Sequence, residues 1–134
     1  NDAIAKKMNI NEKEAEEVKV AFGIENFNKD NPIFNSIKYL LENLVTEIEK
    51  TIDFYVVMSK TPKEIKKIIL CGGGSNLKGL VAYLSQRIGK EVVLGDPLTN
   101  LNLEKKESDK INKKNCIGYA TVIGLAIKKP YYGN

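Results

Sequence analysis

Histidine and tryptophan are absent from this chain of 134 residues. Without histidine it lacks the commonest general base and the commonest metal ligand. Only two cysteines occur, Cys71 and Cys116, with no CxxC spacing and no companions, which argues against a zinc site. They read as free thiols of a reducing compartment, Cys71 as a small buried strand residue. No apolar run approaches the ~20 residues that span a bilayer, and the charged opening "NDAIAKKMNINEKEAEE" is not a signal peptide. An excess of one charge is lacking too. The net charge of +4 comes from 21 basic and 17 acidic residues in mixed-sign clusters, without the basic stripe that marks a nucleic-acid footprint. The chain does not begin with Met, and the expectation is a piece of something longer.

What is present suffices for one modest domain, since 43% of the residues are hydrophobic. Asn1 or Asp2 can cap a first short helix. Asn11 can cap a second, over roughly 12–22, with Glu14 as capping-box partner and Gly23 as the stop. Ala15, Val18 and Phe22 are its apolar residues. "ENFNKDNP" reads as a loop. Over residues 33–59, Ile37, Leu41, Leu44, Ile48, Ile52 and Tyr55 recur in steps of three and four, which predicts a long helix ended by Thr61-Pro62.

"KKIILCGGGSNLKGL", residues 66–80, follows. Ile65–Cys71 reads as a strand buried on both faces. After three glycines a helix is expected over 77–89, with Leu77, Leu80, Val81, Leu84 and Ile88 on one face. "EVVLGDP" then gives a second strand, and a crossover through a helix implies that the two strands are parallel. Residues 101–115 read as an exposed polar loop, "CIGYATVIGLAI" as a buried terminal helix, and "KKPYYGN" as a tail.

Three adjacent glycines cost backbone entropy. They stand at the carboxyl end of a strand before a helix, where open α/β sheets bind ligands and helix dipoles favour anions. Two phosphate-binding patterns fail here. A P-loop counted from Gly74 reaches Gly79 but continues Leu80-Val81 instead of Lys-Ser/Thr. The dinucleotide pattern begins with Gly72 and Gly74 but meets Leu77. Geometry alone leaves a ligand cradle and a plain turn equally open. Glu16 and Lys19, three apart on one helix, taken alone are a solvated ion pair.

Taken together, these segments resemble the second half of the actin-like ATPases, most closely the pilus-assembly branch of the FtsA/PilM family, with the cell-division branch next. "IKKIILCGGGSNLKGLVAYLSQRIGKEVVLGDPLTNL" resembles the adenosine motif, "INEKEAEEVKVAFG" the AExxK helix, and "IGYATVIGLAIK" the C-terminal small-residue helix. The likeness covers nearly the whole chain. It implies an α/β fold: part of an RNase H-like subdomain over 33–134, preceded over 1–32 by the helical part of an inserted subdomain that caps the nucleotide.

The resemblance also implies roles. Gly72, Gly73 and Gly74 would pass under the base, ribose and α-phosphate side of ATP, with Ser75 and Asn76 offering polar contacts. Gly79 would keep the first helical turn clear of the base. Glu16 would accept from the ribose hydroxyls and Lys19 would cover the other wall, while Asp96 lies on a nearby turn whose direct contact is doubtful. Lys78 departs from the pattern, which often has proline there. The phosphate-binding hairpins and the carboxylates that hold Mg²⁺ lie outside the part of the family pattern matched here. The chain is therefore expected to hold half an ATP site and not to hydrolyse ATP alone. An incomplete sheet would invite self-association or strand exchange. The implied partner is the cytoplasmic N-terminal segment of an inner-membrane pilus assembly protein, and the implied location is the cytoplasmic face of that membrane. The alternatives are a cell-division actin homologue and a non-enzymatic interaction module with a degenerate nucleotide site.

Overall fold

The computed structural model describes residues 1–24, 31–99, 101 and 116–128. Of the segments read as a loop over 25–32, a polar loop over 101–115 and a tail over 128–134, residues 25–30, 102–115 and 129–134 lie outside the described residues. In chain order the elements are α1 (Asp2–Met8), α2 (Glu12–Phe22), α3 (Pro32–Met58), β1 (Lys67–Leu70), a 3₁₀ turn (Gly73–Asn76), α4 (Leu80–Ile88), β2 (Glu91–Leu94), a second 3₁₀ turn (Ile117–Tyr119) and α5 (Ala120–Ile127). This is a mixed α/β, helix-rich fold.

The helix boundaries follow from their caps. Asn11 Oδ1 accepts from Glu14 N–H at 2.9 Å while Glu14 Oε2 accepts from Asn11 N–H at 3.0 Å, a complete capping box. Asn31 accepts from the backbone of both Ile33 and Phe34, and Pro32 supplies a pre-set first helical residue to α3. Gly89, at φ 69°, closes α4 in the left-handed conformation. Helix α3 ends at Met58, four residues before Pro62, so the proline does not set its end.

The contacts divide the chain into two compact units: Asn1–Ile68 with Leu77–Val92, and Ile69–Asn76 with Val93–Asn134. In the first unit, α1 packs against α2 and α3, and α3 packs against α4. Ile4, Ala15, Ile24, Ile33, Ile37, Leu41, Val45, Leu80 and Leu84 form its core. Ile4, Ile24, Ile33 and Leu84 are fully buried, each worth about 1.5–3 kcal/mol. Tyr83, outside the expected apolar face of α4, is also buried and meets Phe34 edge to face with centroids 5.9 Å apart. In the second unit Ser75, Cys116 and Ile117 are buried, and the two 3₁₀ turns pack on each other.

Strands β1 and β2 pair in a two-stranded sheet. Lys67 Nζ lies 2.8 Å from Glu91 Oε1 where both strands begin, and Gly95 N–H donates to Leu70 O at 2.8 Å where both end. The strands therefore run the same way, as the crossover through α4 requires.

Four expectations of burial or extent need correction. Strand β1 covers only Lys67–Leu70 and alternates exposed with half-buried residues, with Ile69 62% exposed, so it is not buried on both faces. Cys71 is exposed, whereas Cys116 is buried. Helix α4 starts at Leu80 rather than 77, because Gly79 sits at φ 85° and Gly73–Asn76 form a separate 3₁₀ turn. Helix α5 has no buried residue, and Val122, Leu125 and Ile127 are exposed. For β1, Cys71 and α5 the shared cause is that apolar sequence marks surface able to be buried, while burial needs a covering layer, and no described residues supply one at these positions.

Candidate functional site

The glycine turn belongs to the second unit. Leu70 ends β1, Cys71 follows, and Gly72 takes φ 95°, a conformation that suits glycine. Gly72 N–H donates to Ile117 O at 2.9 Å, which ties the turn to the second 3₁₀ turn. Ser75 closes it from inside: its N–H donates to Gly72 O at 3.0 Å, and its hydroxyl donates to the same oxygen. The Ser75 hydroxyl proton is therefore used within the turn.

These three glycines differ from Gly23 and Gly95, which have close neighbours, and resemble Gly89 and Gly124. Among the described residues, a Cβ built on Gly72, Gly73 or Gly74 would meet nothing within 4 Å. Gly73 and Gly74 do not adopt positive φ either. Neither packing among the described residues nor backbone conformation calls for glycine at those two positions. The result is a strip of bare backbone along which a flat ring or an anionic group can lie at backbone distance.

Behind the turn, Gly95 packs closely against a side chain. Its Cβ would come 2.6 Å from Cys71 Sγ. Asp96 uses its carboxylate locally, accepting from Leu98 N–H at 2.9 Å, with Thr99 Oγ1 donating to the Asp96 carbonyl at 3.0 Å.

The other site residues expected from the sequence belong to the first unit. Lys19 Nζ donates to Glu16 Oε2 at 2.9 Å and to Asn1 Oδ1 at 3.3 Å. The Lys19 hydrogen bond, assisted by Asn1, holds the Glu16 carboxyl below its ordinary value against a smaller opposing effect of burial. Glu16 is therefore a carboxylate at neutral pH, an acceptor only, with its side chain 45% exposed. Gly79, at φ 85°, is the N-cap of α4 and needs to be glycine for that conformation.

Sequence reasoning missed one cluster. Gly23 reads as a helix stop, but it also lies against Lys78: Ile24 N–H donates to Lys78 O at 2.9 Å, and Lys78 Nζ donates to Ala21 O at 3.0 Å. The partners are 57 residues apart at the lysine bond, and no local pattern announces them. Among the described residues there is no group of three or more His, Cys, Asp or Glu able to hold a metal. No helix among them is long and apolar enough to cross a membrane.

The chain is a helix-rich mixed α/β protein, and its relatives are found among pilus-assembly components. A solved chain described as "PilM-PilN type IV pilus biogenesis complex" superposes on it with a TM-score of 0.73 at 27% sequence identity, over 94% of this chain. The match takes in 34% of that solved chain, so this chain spans about a third of its length. No curated protein matches. The family described as "Type IV pilus assembly protein PilM" matches residues 1–130, and the chain belongs to that family.

Proposed function

We propose that this chain carries the adenosine-side residues of an ATP site in a pilus-assembly protein of the actin-like class, and that nucleotide binding there is coupled to assembly of the machine. In this reading residues 33–134 belong to an RNase H-like subdomain and residues 1–32 to an inserted one. Gly72, Gly73 and Gly74 form the floor, with Asn76 and the Ser75 backbone at its edge. Glu16 accepts from the ribose hydroxyls, Lys19 covers the nucleotide, and Gly79 keeps the first turn of α4 clear. Mg²⁺ and the γ-phosphate are handled by residues outside this stretch, which does not hydrolyse ATP alone.

One observation carries the reading. Gly73 and Gly74 have open space where their side chains would be and no positive φ to justify glycine. Each glycine costs about 0.5–1 kcal/mol of backbone entropy relative to alanine, and close approach of a ligand accounts for both; Gly124, within α5, meets the same two conditions among the described residues, so it is the place of Gly73 and Gly74 after a strand end that singles them out. The partner proposed is the cytoplasmic segment of a PilN-like inner-membrane protein, by analogy with the complex named for the structural relative. The location proposed is the cytoplasmic face of the inner membrane.

The test is titration with a fluorescent ATP analogue. Saturable binding to the native protein, abolished by Gly73→Val in a variant that keeps its circular dichroism and melting behaviour, is the expected result. Binding unchanged by Gly73→Val overturns the assignment of the glycine floor. No binding to the native protein favours the interaction module with a degenerate site.

A further inference from the structure

Lys78 stands where the related pattern often carries proline, immediately before the Gly79 N-cap of α4. Its surroundings give it a task. Its carbonyl accepts from Ile24 N–H, and its ammonium donates to Ala21 O, one of the carbonyls that the last turn of α2 leaves without a helical partner. Gly23 lies between these two bonds. A Cβ there would fall 2.5 Å from Lys78 Cβ and 2.7 Å from Lys78 O. Gly23 also has φ 60° and ψ −155°, a region open in practice to glycine alone.

Helix α2 is held elsewhere by α1, against which it packs and to whose start Lys19 is tied through Asn1 Oδ1, and Asn31 Nδ2 donates to Gly23 O at 3.3 Å, but few of its own side chains are buried. Ala15 is the one buried residue within it, while Val20 and Phe22 are exposed. Ile24, just beyond the joint, is fully buried. The end of α2 is thus pinned to the start of α4 at a single point of close backbone approach. Glu16 and Lys19 lie about two turns and one turn upstream of it.

We propose that Lys78 is a positioning residue that, through Gly23 and Ile24, holds α2 against the start of α4 and so sets where the Glu16–Lys19 pair is presented. The proposal rests on the reading that this pair contacts nucleotide. Lys78 itself touches no ligand in this scheme. Its ammonium sets the angle of α2 by tying down Ala21 O.

The experiment is a double-mutant cycle in the intact protein, with binding of the fluorescent ATP analogue as readout and thermal melting as control. Glu16→Ala and Gly73→Val report on the site itself. Lys78→Met keeps the aliphatic stem and the backbone carbonyl but removes the donor. It is expected to weaken binding about threefold, as loss of one hydrogen bond would. Gly23→Ala, which breaks the joint, is expected to weaken binding at least as much as Glu16→Ala. In the Glu16→Ala background, Lys78→Met is expected to lose most of its effect, because residues that act through one another are not additive. A general loss of stability would instead weaken binding in both backgrounds and lower the melting temperature.

If Glu16→Ala and Gly73→Val weaken binding while Lys78→Met does not, or acts equally in both backgrounds, the positioning role is overturned and the site reading survives. If neither site variant changes binding, or no binding occurs, the site reading fails and this proposal fails with it. Gly23→Ala risks misfolding, and Lys78→Met decides the matter without it.

Discussion

Gly23 and Gly73 are both glycines just beyond a regular element, and their surroundings are opposite. Around Gly23 there is no room: a side chain would collide with the Cβ and carbonyl of Lys78, and the backbone already occupies a conformation reserved for glycine. Around Gly73 a side chain would meet nothing within 4 Å among the described residues. The fold itself requires the first glycine. Nothing among the described residues requires the second. A glycine read from sequence alone does not distinguish these cases.

The largest expected effect tests that contrast directly. Gly23→Ala should destabilise the protein by about 3 kcal/mol, from backbone strain and overpacking together. Gly73→Val should leave stability within about 0.5 kcal/mol, as a change at an open position does. Urea unfolding of the two variants side by side measures both, and equal costs would erase the distinction.

Gly95 gives an intermediate case, because its neighbour is a side chain with some freedom. Gly95→Ala would bring a methyl to within 2.6 Å of Cys71 Sγ and should cost about 1–2 kcal/mol. Cys71→Ala in the same chain should recover most of that loss, since the nearest atom is then gone. A cost that persists undiminished in the double variant would mean that Ile69 Cγ2 and the Leu70 carbonyl, each at 3.2 Å, are the real obstacle.

The smallest effect concerns the Glu16–Lys19 pair. The folded carboxyl titrates below its ordinary value of 4.5, chiefly because Lys19 donates to it. A group with a lowered folded value contributes stability above its unfolded value and loses it as the pH falls through the folded one. The stability difference between the native protein and Glu16→Gln should therefore be constant near neutrality and shrink below pH 4.5. With both side chains partly exposed, it should be small and weaken further in salt. A difference that grows on acidification would contradict the pairing.

Much of the local structure was legible in the sequence. Asn11 with Glu14 marked the start of α2, and Gly23 its end. The three- and four-residue steps marked α3, and Gly89 the end of α4. These signals act over a few residues, and the chemistry that makes them is complete within each segment. Burial was less legible. Ile69, Val122 and Leu125 are as apolar as Ile33 or Leu84, yet they are exposed, because hydrophobicity records a preference and not a neighbour. Tyr83 ran the other way: its ring is buried by Phe34, a partner on another helix that no periodicity within α4 reveals. The glycine turn was legible as a motif, but the openness around Gly73 and the closure around Gly23 were not, since both depend on residues distant in sequence.

The two cysteines differ in a way that turns the chain into its own gauge. Cys71 is exposed beside the glycine turn, and Cys116 is buried ahead of Ile117. A thiol reagent too large to enter the fold sees one reactive sulfur in the closed protein and two once the second unit opens. The pace at which the second sulfur becomes available reports local opening without any introduced label. The first sulfur, adjacent in the chain to Gly72, provides an internal standard for the reagent in the same sample.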